Sequence, residues 1–196
     1  MRIFIALDIN DKIRERIRLF MDGVRGFAPD VRWVRPESMH VTLKFVGQKS
    51  PETVEEIKVA LERIQTDAFD LSMHGYGFFP TSKAPRVFWI GIQAGPKLAS
   101  LAKLVDEATF VIGVPKEEHA FSPHLTLARR SGSGAPSRRK GDDANSSFKR
   151  LQEKLAAMPA LDFGTMTARE FFLYESQPMP GGAQYTKMAR FELKQI

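Results

Sequence analysis

Apolar and polar positions along the chain alternate in two rhythms, a period of two and a period near 3.6, and these predict its elements. Residues 2–9 alternate and are rich in β-formers, a strand. Over 11–24 the apolar residues Ile13, Ile17, Leu19, Phe20 and Val24 fall at helical spacing, with Asn10 or Asp11 to cap the start and Gly26 near the end. Residues 31–34 predict a short strand paired with the next strand of the chain, and 40–46 a strand stopped by Gly47. Pro51, followed by Glu52, Glu55 and Glu56, opens a second helix reaching about Gln65. Strands at 69–78 and 86–92 flank a loop at 80–85, and a third helix covers 97–110. A strand at 120–129, a helix at 148–158, and strands at 165–175 and 185–193 joined by a turn at 178–182 complete the chain.

One stretch breaks the rhythm. Residues 131–147 are Gly, Ser, Arg and Lys with almost nothing apolar, which predicts a mobile basic loop. Its cluster Arg138, Arg139 and Lys140 has two readings, a contact for an RNA backbone or a solvated loop without a fixed partner.

At 196 residues the chain can bury one good core or two small lobes sharing an interface. Its 43% hydrophobic and 27% charged residues are those of a soluble globular protein, and no uncharged stretch is long enough for a membrane helix. The opening MRIFIALDI is too short, and too soon followed by charge, for a secretory signal. With no cysteine there is no disulfide framework and no thiolate chemistry, so a cytoplasmic location is expected. The net charge of +6 and pI near 9.6 suggest an anionic partner.

The candidate chemistry lies in a phrase that occurs twice. His40-Val41-Thr42-Leu43 and His124-Leu125-Thr126-Leu127 stand 84 residues apart, each inside a predicted strand. Alternation puts His and Thr of each copy on one face and the apolar residues on the other. If the strands lie together, two imidazoles and two hydroxyls share a cleft, the equipment for phosphoryl chemistry by paired general acid and base without a metal. Opening a cyclic phosphate needs a base beside the nucleophile and an acid beside the departing oxygen. Histidine serves as either near neutrality, and Thr42 and Thr126 can donate to the non-bridging oxygens.

Strict alternation extends the His124 face to Arg130 and the His40 face to Lys44, which leaves Phe45 on the buried face. Phe45, Phe78, Phe79 and Phe121 could stack a base, although packing in the core is the commoner use of each. His74 and His119 lack a matching partner and read as structural, with His119 close enough to the second motif to reach a substrate.

Each motif strand is followed by a helix and then a strand pair, which suggests two halves related by a pseudo-two-fold axis. A doubly wound parallel sheet would also fit the alternation, but no glycine-rich phosphate loop follows the first strand.

Three segments, RIFIALDI, RWVRPESMHVTLKFVG and FSPHLTLAR, occur in the order and spacing of the 2H phosphoesterases, specifically the RNA 2′,3′-cyclic phosphodiesterases also named 2′-5′ RNA ligases, which the chain resembles over nearly its whole length. The resemblance implies an α+β, bilobal fold: two pseudo-symmetric halves with antiparallel sheets lining a central cleft, and helices outside. Residues 1–196 would form a single domain of two interleaved lobes. It implies metal-independent hydrolysis of an RNA terminal 2′,3′-cyclic phosphate to a 2′-phosphomonoester, with His40 as acid and His124 as base. Thr42 and Thr126 would orient the phosphate and Arg129 would neutralise it, with Arg130 as the alternative. No metal or cofactor is expected. The expected partner is RNA ending in a cyclic phosphate, tRNA fragments among the candidates, with no membrane, and the chain reads as a monomer. Two alternatives remain: 2′-5′ ligation as the main activity, or a basic RNA-binding module with little turnover.

Because no closely spaced His, Asp and Glu set resembles a metal site, hydrolysis of a 2′,3′-cyclic phosphate should persist in a chelator. An assay with and without divalent ions checks this; loss of turnover, restored by adding the ions back, would turn the imidazoles into metal ligands.

Overall fold

The computed structural model describes residues 1–130, 146–180 and 182–194. Its elements in chain order are β1 (Arg2–Asp8), α1 (Asp11–Val24), β2 (Val31–Trp33), β3 (His40–Gln48), α2 (Pro51–Glu62), β4 (Phe69–Phe79), β5 (Val87–Ala94), α3 (Pro96–Phe110), β6 (His124–Arg130), α4 (Ser146–Ala156), β7 (Asp162–Ala168), β8 (Glu170–Met179) and β9 (Gly182–Glu192). One-turn 3-10 segments stand at Arg25–Phe27 and Pro36–Ser38. Most of the stretch expected as a basic loop, including Arg138, Arg139 and Lys140, lies outside the described residues, and Ser146 already opens α4.

The strands form one nine-stranded sheet in the order β7-β4-β5-β6-β3-β1-β8-β9, with β2 added beside β6. Every pairing between these strands is antiparallel. The fold is α+β as expected, but the two expected sheets are one, continuous through the register pair Val41 and Leu125 where β3 meets β6. Along that order four strands stand on either side of the seam, with the motif strands the innermost of each set, and β2 lies off the path on the edge of β6 that also meets β3. The symmetry suggested by the repeated phrase is thus visible in the strand order.

Helix α1 shows how the local sequence seats an element. The Asn10 side chain accepts from the Ile13 N–H at 2.9 Å and caps the first turn. Ile13, Ile17, Met21 and Val24 then form the buried stripe. Leu19, expected in that stripe, is 57% exposed, and Met21 takes the core position a helical face requires. The helix packs on β7, from the opposite half, while α3 packs on β3. Each of these helices therefore crosses the seam. Among the described residues no helix is long and apolar enough to cross a membrane.

Three strand expectations are corrected. Residues 165–175 are not one strand: β7 ends at Ala168 and pairs with β4 at one edge, whereas β8 starts at Glu170 and pairs with β1 and β9 near the other. No Gly or Pro marks the break at Arg169, so periodicity ran through it. The 31–34 strand pairs not with β3 but with β6. The second motif strand begins at His124 rather than 120, because Pro123 brings no N–H to a ladder.

Strand β3 also departs from strict alternation. Its partner β1 pairs Ile5 with Lys44 and Ala6 with Thr42, so Leu43 is the extra residue of a β-bulge. The bulge reverses the parity expected of Lys44. Its side chain is buried, with Nζ donating to Asp106 on α3 and, at 2.8 Å, to the Pro115 carbonyl. Asp106 also accepts from the Glu117 N–H at 3.1 Å, so this ion pair ties β3 to the segment leading into β6.

Replacing Lys44 with Met should destabilise the fold by about 2 kcal/mol, the cost of leaving partly buried acceptors unpaired. Burial opposes the charge of Asp106, but the hydrogen bonds from Lys44 and Glu117 outweigh it and hold the carboxyl below its ordinary value. A depressed carboxyl contributes stability at neutral pH that is lost as pH falls through the carboxylate range. The difference between wild type and Lys44→Met should shrink there, as denaturant titrations at pH 7 and near pH 3 would show.

Candidate active site

Where β3 and β6 meet, a cleft of about 620 Å³ collects His40, Thr42, His124 and Thr126. The alternation of each strand aims these side chains into it while Val41, Leu43, Leu125 and Leu127 go to the core. Strand β6 carries the same bulge as β3, since Phe88 pairs with Ala128 but Trp89 with Thr126, leaving Leu127 extra. Both motif strands therefore bury two consecutive residues, Leu43-Lys44 and Leu127-Ala128, and return the next one to the cleft.

That bulge decides two open positions. Arg129 lines the cleft, and its Nη2 lies 3.5 Å from Thr126 Oγ1. Arg130, which strict alternation placed with His124, is exposed and is not among the lining residues. At the equivalent place in β3, Phe45 is 61% exposed and lines the cleft, contrary to its expected burial. Lys44, the residue expected there, is in the core.

The imidazoles are held alike. His40 Nδ1 lies 2.8 Å from the Ser38 carbonyl, and His124 Nδ1 lies 2.8 Å from the Ser122 carbonyl. A carbonyl only accepts, so Nδ1 carries the hydrogen in both rings and Nε2 is left for the cleft. Serine two residues before each histidine was legible as an extension of the repeat, Ser-x-His-x-Thr-Leu, and the shorter phrase missed it. Aromatic rings fix the rest: Phe4 at 4.6 Å and Tyr185 edge-on at 5.2 Å beside His40, Phe79 edge-on at 4.9 Å beside His124.

Burial lowers the pKa of both histidines. For His40 it outweighs the bond to Ser38, which favours the charged ring; the Arg129 charge lowers the value further and Asp8 raises it, leaving it at about 4. His124 is lowered by the same burial and by Arg129, against its bond to Ser122. Both rings are thus neutral at pH 7 until something anionic joins them.

The remaining candidates fall outside the cleft. His119 is exposed, and His74 meets Gln93 at 3.3 Å on β4. Phe78 is in the core, and Phe121 is half-buried against it. Among the described residues no three His, Asp or Glu side chains cluster as a metal site would require.

An antiparallel sheet presenting two His-x-Thr pairs and an arginine to one cleft defines a protein equipped for acid and base work on a phosphate ester. Comparison with known proteins agrees. The family model for LigT-like phosphoesterases matches residues 7–89. The chain is 31% identical over 192 residues to the RNA 2′,3′-cyclic phosphodiesterase of Archaeoglobus fulgidus, covering 98% of this chain and 100% of that one. To the protein of the same name from Escherichia coli K12 it is 28% identical, over 99% and 97% of the two chains. The crystal structure of E. coli LigT complexed with 3′-AMP superposes with a TM-score of 0.77 at 26% identity, covering 99% of this chain and 98% of that one. The chain belongs to the LigT-like, 2H phosphoesterase family.

Trp89 supplies a test of how tightly His124 is held. Its indole lies 6.2 Å from the His124 ring and over Gly77, where an added Cβ would come within 2.2 Å of Cζ2. Gly77→Ala must therefore displace the indole, and turnover should fall by at least about tenfold as His124 loses its support. Circular dichroism verifies the fold, and unchanged turnover would show that Trp89 does not position the ring.

Proposed function

We propose that the chain hydrolyses RNA terminal 2′,3′-cyclic phosphates to 2′-phosphomonoesters without a metal, as one 2H domain of two interleaved lobes. The observation that carries this reading is the pair of imidazoles, each with Nδ1 tied to a carbonyl and Nε2 free, on the two strands that meet at the seam. The names of the relatives supply the substrate class.

In this mechanism His124 takes a proton from water as it attacks phosphorus, and His40 gives one to the departing 3′ oxygen. The phosphate stays on the 2′ oxygen. Thr42 and Thr126 donate to the non-bridging oxygens, and Arg129 offsets their charge. Because burial keeps His40 neutral in the free protein, the anionic substrate itself favours the charged acid by standing against it. The family resemblance, not the pKa order, distinguishes the two histidines.

Replacing either His40 or His124 with Ala should lower turnover by roughly 10²- to 10⁴-fold with the fold intact. The base must be neutral and the acid charged, so the profile against pH is a bell. The lowered values in the free protein place the bell for kcat/KM below the ordinary histidine value, and the bound anion shifts the bell for kcat upward. His124→Ala should preferentially remove the acidic limb. The decisive assay uses an oligonucleotide ending in a 2′,3′-cyclic phosphate, with and without a 5′-hydroxyl acceptor. A 2′-phosphate end supports the mechanism, a 3′-phosphate reverses its geometry, a 2′-5′ junction shows ligation, and binding without product makes the chain a binding module.

A further inference from the structure

Besides Arg129, the cleft is lined by Arg2, Arg32 and Arg35, and by no Asp or Glu among the described residues. Among those residues none of these four arginines has an ion pair with a carboxylate, although every arginine of α1 except Arg16 has one. A 2′,3′-cyclic phosphate is a diester with a single negative charge. It can offset one guanidinium, and the cleft offers four.

Arg32 is the clearest case. In the β2–β6 ladder it stands directly opposite Arg129, so two like charges share one face at the closest cross-strand position. That arrangement costs stability unless negative charge stands beside each of the two guanidiniums. Alternation along β2 supports it, because Val31 and Trp33 turn inward and the Trp33 indole donates to the Ala28 carbonyl at 3.0 Å.

Arg35 comes from the next turn of chain. Pro36 confines it to extended backbone, observed at φ −68° and ψ 141°, and Arg14 fastens that turn by donating to the Pro36 carbonyl at 2.5 Å. Its guanidinium reaches the β8–β9 turn, with Nη2 3.9 Å from where a Cβ on Gly182 would stand. Three residues further on, Ser38 holds His40. The segment from Arg32 to His40 thus carries two cations without a carboxylate partner among the described residues, on the same stretch of chain as one imidazole.

We infer that Arg32 and Arg35 form a second anion subsite, for the phosphodiester on the 5′ side of the terminal nucleotide. This rests on the proposed hydrolysis. It makes the protein a reader of chain ends: the cyclic phosphate meets the histidines and Arg129, and the next phosphate of the same strand meets Arg32 and Arg35. Arginine suits the task because its planar fork binds phosphate oxygens in pairs.

The test compares three substrates: a nucleoside 2′,3′-cyclic phosphate, a dinucleotide ending in the same group, and that dinucleotide with an uncharged methylphosphonate linkage. Wild type should use the phosphodiester dinucleotide with kcat/KM about tenfold or more above the methylphosphonate one, as a charge-assisted contact implies. The preference should weaken with salt. In Arg32→Gln/Arg35→Gln the ratio should fall to within about threefold, with turnover of the mononucleotide reporting that the site still works. A mononucleotide carrying a separate 5′-phosphate distinguishes a diester of the chain from any nearby phosphate, and equal gain from it would overturn the chain-end reading. Equal use of the two dinucleotides by wild type, or an unchanged ratio in the double variant, would overturn the subsite and leave the hydrolysis standing. No turnover of any substrate would overturn the hydrolysis itself.

Discussion

An extra residue at the same place in each motif strand, directly after the His-x-Thr phrase, governs the rest of the molecule. Side chains alternate strictly along a regular strand, so positions 1, 3 and 6 of a motif cannot share one face without a break in the count. The bulges at Leu43 and Leu127 supply it. Each sends two consecutive residues into the core and returns the next one to the cleft. Occurring at the same place in both strands, they keep the halves matched while the residues they deliver differ, Phe45 on one side and Arg129 on the other. The cleft is symmetric in its histidines and asymmetric in what surrounds them.

Electrostatics depends on that placement. The two imidazoles sit among Phe4, Tyr185 and Phe79, where burial disfavours the charged ring. The nearby cations act in the same direction. In the proposed reaction a phosphate would supply negative charge to this cleft twice over, by offsetting the guanidiniums and by favouring a proton on one histidine. Binding and protonation are then one event. Two carboxylates are held by other cations: Asp8, which stands opposite His40, accepts from Arg14 and Lys187, and Asp106 accepts from the buried Lys44. Their pairing leaves the cleft to its cations.

Across the seam β3 and β6 share the register pair Val41 and Leu125, and β2 extends the pairing along the same edge of β6 from Ala128 to Arg130. The crossing helices and the Lys44–Asp106 pair add to it, α1 against β7 and α3 against β3. Lys44 donates both to α3 and to the segment before β6, so the ion pair that braces β3 also fixes the approach to His124. Buried ion pairs are costly to desolvate, and this one is placed where the geometry of two strands depends on it.

The sequence by itself determined the repeated His-x-Thr phrase, the helix starts at Asn10 and Pro51, and the alternation that turns both histidines and threonines away from the core. These are short-range properties, read from a residue and its neighbours within one turn or one strand. Extending the phrase by two residues would also have revealed Ser38 and Ser122. Only the tertiary structure showed that Arg129 rather than Arg130 lines the cleft, and that Lys44 is buried and Phe45 exposed, because a bulge is defined by the partner strand and leaves no local mark in a run such as HVTLKF. It alone divided residues 165–175 between opposite sides of the sheet, and set Arg32 against Arg129. Those depend on which strands pair, and pairing is settled by the whole chain's burial of its apolar faces rather than by any segment alone.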